Sequence, residues 1–141
     1  MGVITVPVIL ANPSRPQLAR LTVEALVDTG ASHLCVPEAV RRQLQLDEID
    51  RRRVSPRWKH SGAGSADGRE RLVPYVGPLT LHVLGRHGVS GALVLGDQVR
   101  LGAIAMEDLD LIIEPRRRRV TANPASPDYG RALAKSGDVM K

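Results

Sequence analysis

The residues best equipped for chemistry in this chain are Asp28, Thr29, Gly30, Ala31 and Ser32. An apolar run, Ala25-Leu26-Val27, delivers the Asp28 carboxylate into a turn of small side chains. A carboxylate at the end of an apolar strand is costly to bury unless hydrogen bonds hold it. Small residues after it let backbone N–H groups approach and leave room for a ligand or a second chain. Such a turn presents an acid in a crowded, partly dry place, where it can move protons. The plainer alternative is a turn in which Asp28 only bonds its own backbone.

Other constellations are weaker. Gly62, Gly64 and Gly68 superficially suggest a nucleotide loop. They lack a helix start to aim N–H groups at phosphate, and no Lys-Ser/Thr follows. His33 lies close to Cys35, and His82 to His87, but the spacings of zinc sites are absent. No metal and no cofactor are therefore expected. Cys35 sits between Leu34 and Val36, the setting of an inert buried thiol rather than a nucleophile. Ser32 reads as a support for the turn, because no base with its orienting partner can be read around it.

The elements that must position Asp28 are short. Val3 to Leu10 reads as a strand, with Pro7 suited to an edge. Asn12 to Pro16 is a turn, and Leu21 to Val27 is a second strand that completes a hairpin. Pro37 opens a short helix whose stripe is Val36, Val40 and Leu44, fading near Leu46-Asp47. Residues 53 to 75 read as a long hairpin with a glycine-rich tip at 61 to 68. Strands at 79–84 and 89–95 flank a turn at Gly85-Arg86-His87-Gly88. Ile104 to Leu109 gives one or two helical turns, Leu111 to Ile113 a strand, and Val120 the centre of a last strand. From Asn123 onward the composition suggests a loose tail.

Bulk properties agree with one small, mostly β domain. The chain has 141 residues, 43% hydrophobic and 25% charged, which is globular rather than disordered. No apolar stretch approaches the length of a membrane span, and no leader pattern opens the chain, so no membrane role and a cytoplasmic setting are expected. With a single cysteine, Cys35, no intrachain disulfide can form. The net charge is +5, with arginine runs at 51–53 and 116–119. Such runs can neutralise phosphates. With no Phe, one Trp and two Tyr, however, a base-stacking platform is hard to build. Solvated faces are the better reading, and nucleic acid is not the expected partner.

Val27-Asp28-Thr29-Gly30-Ala31-Ser32, after its apolar strand, resembles the active-site motif of retroviral-type (retropepsin-like) aspartic proteases. Ser65-Ala66-Asp67-Gly68 looks like the tip of that family's flap. Val99-Arg100-Leu101-Gly102-Ala103-Ile104 occupies the place of its second, apolar-apolar-Gly motif, with Leu101 and Gly102 matching and Arg100 departing. Residues 93–115 are similar to small prokaryotic members. The resemblance implies a closed β-barrel with a flap hairpin and one or two short helices over residues 1–124, one lobe per chain, then a flexible tail over 125–141. It implies an aspartic endopeptidase acting on polypeptide. The chemistry needs two carboxylates, and the chain holds one such motif, so a homodimer with Asp28 from each subunit at the two-fold axis follows. By the same resemblance Thr29 and Gly30 support the dyad. Ala31, with Ala66, Asp67 and Gly68, binds substrate backbone by strand addition. The rivals are a non-catalytic peptide-binding module on the same fold and a basic nucleic-acid-associated protein.

Overall fold

Alternation builds the first strand, β1 (Thr5–Ala11): Val6, Val8 and Leu10 turn inward and are 3%, 0% and 0% exposed. It runs antiparallel to β2 (Leu21–Val27), from Thr5 opposite Leu26 to Leu10 opposite Leu21, the expected hairpin. Pro7 lies on the half of β1 that pairs only with β2, where its missing N–H removes no ladder bond. Asn12 in the turn is buried. Its Nδ2 donates to the carbonyls of Leu44 and Gln45, and its Oδ1 accepts from the Ser14 N–H. These contacts tie the hairpin to the end of the first helix. The molecule is a computed structural model that describes residues 3–55 and 70–139.

After β3 (Cys35–Val36) comes α1 (Glu38–Gln43), with Pro37 as its extended N-cap rather than its first residue. Val36, Val40 and Leu44 are buried, as their spacing requires. The long hairpin consists of β4 (Asp47–Val54) and β5 (Arg71–Val83), paired from Asp47 opposite Gly77 to Val54 opposite Arg71. Its arm thus begins at Asp47, earlier than the expected residue 53. The cause is the lack of any apolar alternation in DEIDRRRV: β4 is exposed nearly throughout and is held by β5's ladder. The expected strand at 79–84 is not separate. It continues β5 through an irregularity in register between Val76 and Leu79, around Gly77-Pro78.

The next turn is Leu84-Gly85, not Gly85 to Gly88. Both residues have positive φ, 51° and 79°, as a two-residue hairpin demands. Arg86, His87 and Gly88 therefore belong to β6 (Arg86–Val94). Then follow β7 (Arg100–Leu101), α2 (Ala103–Asp108), and a separate ribbon of β8 (Leu111–Glu114) with β9 (Arg119–Ala122). The stretch expected as a loose tail is anchored at its root. Asp110 accepts from the Ser126 hydroxyl, the Asn123 side-chain amide and the Arg131 N–H. The buried Arg86 donates to the carbonyls of Asn123 and Ser126. A short helix, α3 (Ser136–Val139), lies beyond.

The order β1-β2-β7-β3-β6-β5 returns to β1 through Ile9–Ala11 and Thr80–His82, which closes a six-stranded barrel. The fold is mostly β, with few short helices, and β4 hangs outside the ring on β5. Leu10, Val36, Leu79, Ala92 and Leu101 fill the barrel at no more than 0% exposure. Among the described residues no helix is long and apolar enough to cross a membrane.

Candidate active site

The parallel pair β2–β7 positions Asp28. Leu26 stands beside Arg100 and Val27 beside Leu101, so the two strands end together, one in Asp28 and the other in Gly102. The Asp28 N–H donates to the Leu101 carbonyl at 3.0 Å, which extends the ladder by one step. The chain then turns, with the Ala31 N–H on the Asp28 carbonyl at 3.2 Å. The start of α2 locks this turn from below: Ala103 N–H donates to Ala31 O and Ile104 N–H to Ser32 O, at 2.9 and 3.0 Å. Gly102 makes this approach possible. A Cβ there would lie 2.5 Å from His33 O and 2.7 Å from the Ser32 carbonyl atoms, all backbone.

Asp28 is half-buried. Its Oδ1 accepts the Gly30 N–H at 3.0 Å, the local bond that any Asp turn of this kind makes. Its Oδ2 faces the Arg100 guanidinium, with Nη1 at 3.5 Å. The two side chains are 36% and 40% exposed, so water screens the pair and its contribution to stability is small. The carboxylate opens into a cleft of about 460 Å³, floored by Gly30, Ala31 and Cys35 and walled by Val54 and Leu93.

Two polar side chains, Ser32 and His33, line the cleft beside Asp28. Ser32 Oγ is 2.8 Å from His33 Nδ1, and Arg52 Nη1 is 3.4 Å from His33 Nε2. Arg52 also covers the Tyr75 ring at 4.7 Å and pairs with Asp50 at 3.2 Å. Both ring nitrogens of His33 thus have a polar neighbour, and among the described residues no carboxylate orients the ring as a base for Ser32. Burial pushes the Cys35 thiol up, with Arg100 opposing and Asp28 adding to the rise, so the thiolate is disfavoured.

The structure therefore gathers Asp28, Gly30 and Ala31 on one cleft, with Leu101 and Gly102 directly beneath. Thr29 is exposed at the head of the turn, beside the cleft rather than in it. Ala66, Asp67 and Gly68, expected at the flap tip, lie outside the described residues. Sequence reasoning noted Arg100 only as a departure from an apolar position. Its place beside Asp28 follows from the β2–β7 register, which no local pattern encodes. It missed Arg52, whose one signal was membership of an arginine run. Within that run Arg51 pairs with Glu48, Arg52 with Asp50 and Arg53 with Glu70, so much of its charge is matched locally. Among the described residues no group of three His, Cys, Asp or Glu could hold a metal ion. No protein-family model matches the chain, and a search of curated proteins finds no match.

Proposed function

We propose that two copies of this chain form a retropepsin-like aspartic endopeptidase. The observation that carries the reading is the placement of Asp28 at the mouth of the 460 Å³ cleft, on a turn braced by Gly102 and the start of α2. Two strand ends, each followed by a glycine-bearing turn, hold one carboxylate rigidly and leave it half-exposed. A second copy placed across a two-fold axis brings a second Asp28 to the first. The paired carboxylates share one proton. The ionised member takes a proton from water, and the protonated member polarises the scissile carbonyl. Thr29, exposed at the head of each turn, faces the axis, and the β4–β5 hairpin arches over an extended peptide. The lone cysteine needs no oxidising compartment, which fits a cytoplasmic setting.

A second reading, a non-catalytic peptide-binding dimer, is favoured by Arg100. Its guanidinium stands at Asp28 Oδ2, the oxygen that would otherwise be free to meet a partner carboxylate. Cleavage of an unfolded protein from acid to neutral pH separates the two, with products read by mass spectrometry and the dimer by light scattering. The protease reading expects cutting by the wild type and none by Asp28→Asn, both folded and dimeric. Folded dimers that both fail to cut would hand the argument to the binding module.

A further inference from the structure

The β5–β6 hairpin carries a pair of histidines outside the Asp28 cleft. Its turn, Leu84-Gly85, pairs Val83 with Arg86 and His82 with His87. In a two-residue hairpin the closing pair exchanges both backbone hydrogen bonds, so the next pair is the one whose side chains approach most closely. Leu81 and Val83 point into the barrel at 1% exposure each, which puts His82 on the outer face with the exposed His87. The two imidazoles sit with centroids 4.2 Å apart and planes at 47°. Among the described residues neither ring makes a hydrogen bond.

We propose that His82 and His87 form a two-imidazole site for a divalent transition-metal ion, copper(II) ahead of nickel(II) and zinc(II). Two nitrogen donors held on one face suit these ions, and the order of affinity follows their general preference for such ligands. The spacing rules for zinc motifs passed over this pair because a hairpin register, not a helix or knuckle, brings the rings together. With no third ligand among the described residues, water completes the coordination and the ion exchanges freely. The surroundings are consistent with ligands that are ready to bind. Burial, His87 and Arg20 hold His82 below the usual histidine range, which favours the neutral ring with a lone pair to give. Opposite His82 on β1 stands the uncharged Ile9. The Arg20 cation also acts on His82 and weakens the site without blocking it. A bound ion clips β5 to β6 and binds only the folded chain, so it raises stability by mass action.

The test uses the full chain with copper(II), nickel(II) or zinc(II) chloride in chelator-free buffer. Isothermal titration gives stoichiometry and affinity, and copper(II) electron paramagnetic resonance counts nitrogen ligands. The expected result is one copper per chain with two imidazole nitrogens. Affinity should fall at least tenfold in His82→Ala and in His87→Ala. Both positions face outward, and circular dichroism checks that each variant folds. One equivalent of binding that survives either substitution overturns the proposal, as does a wild-type spectrum without two nitrogen ligands.

Discussion

Replacing Gly102 by alanine tests the claim that close backbone contact, not sequence identity, fixes the Asp28 turn. Gly102 has φ −84°, a value any residue adopts, so the cost of a side chain there is steric. The added Cβ would sit 2.5 Å from His33 O and 2.7 Å from Ser32 C and O. Relief needs a shift of roughly 0.7–1 Å to reach ordinary contact distances. The atoms in the way are main chain and cannot swing aside. Such a shift stretches the bonds from Ala103 N–H to Ala31 O and from Ile104 N–H to Ser32 O, now 2.9 and 3.0 Å, past useful range. Two lost hydrogen bonds cost about 0.5–1.5 kcal/mol each. Overpacking adds about 1–3 kcal/mol. Reduced chain entropy in the unfolded state returns about 0.4–1 kcal/mol. The net loss is then about 1–6 kcal/mol, against a total stability of about 5–15 kcal/mol. Differential scanning calorimetry should show Tm lower by about 3–20 °C. If the proposed protease reading holds, peptide cleavage should fall about 100-fold, the usual effect of a misplacement near 1 Å. Gly137→Ala, with nothing within 4 Å of its Cβ, is the control and should leave Tm unchanged. A Gly102→Ala protein that melts within 2 °C of wild type, itself a change smaller than one kcal/mol commonly produces, would refute the reasoning.

Leu101→Ala removes a fully buried side chain and should cost about 2–5 kcal/mol by chemical denaturation. Its backbone carbonyl still accepts from Asp28, so on the proposed protease reading cleavage per folded molecule at low temperature should stay near wild type. Asp110 should govern the acid limb of stability. The Ser126 hydroxyl, the Arg131 N–H and the Asn123 amide hold its carboxyl down at about 2, below its ordinary 3.8. A depressed folded value stabilises above the unfolded value and is lost as pH falls, so this contribution should disappear between about pH 4 and pH 2. Asp110→Asn should flatten that part of a Tm-against-pH curve, and a limb of unchanged slope would count against the assignment.

Much of the barrel was legible because its strands obey period two. Val6, Val8 and Leu10 alternate, the hairpin turn holds two prolines, and the Val36-Val40-Leu44 stripe marks a helix. Reading failed where a partner, not the segment, decides the conformation. β4 is a charged, exposed strand that exists because β5 offers it a ladder. The arm expected to end at 75 and the strand expected from 79 are one strand with an irregular register between Val76 and Leu79, since β6 pairs on both sides of it. The turn falls at Leu84-Gly85, one residue before the expected Gly85, because Leu84 takes a left-handed conformation unusual for its type. Anchoring of the segment after Asn123 depends on Asp110 and Arg86, distant residues whose register carries no local signal.

The site divides along the same line. Asp28, Gly30 and Ala31 are neighbours in sequence, and their turn could be read directly. Their contact with Leu101 and Gly102 is a product of barrel closure, since β2 and β7 lie side by side only because the chain winds through β3 to β6 between them. The same closure places Arg100 at Asp28, which gives the carboxylate two unlike faces. Oδ1 is fixed by a neutral backbone donor at 3.0 Å, and Oδ2 meets an exposed cation at 3.5 Å. The first contact is rigid, because it is built into the turn. The second is made by a long side chain in water and costs little to rearrange. A second chain that brings its own carboxylate to the axis competes with Arg100 for Oδ2, and each Arg100 can swing toward solvent or toward a peptide. On the dimeric reading proposed above, the choice between a proton-sharing dyad and an ion-paired one rests on one part-exposed guanidinium per subunit rather than on the barrel that presents the acid.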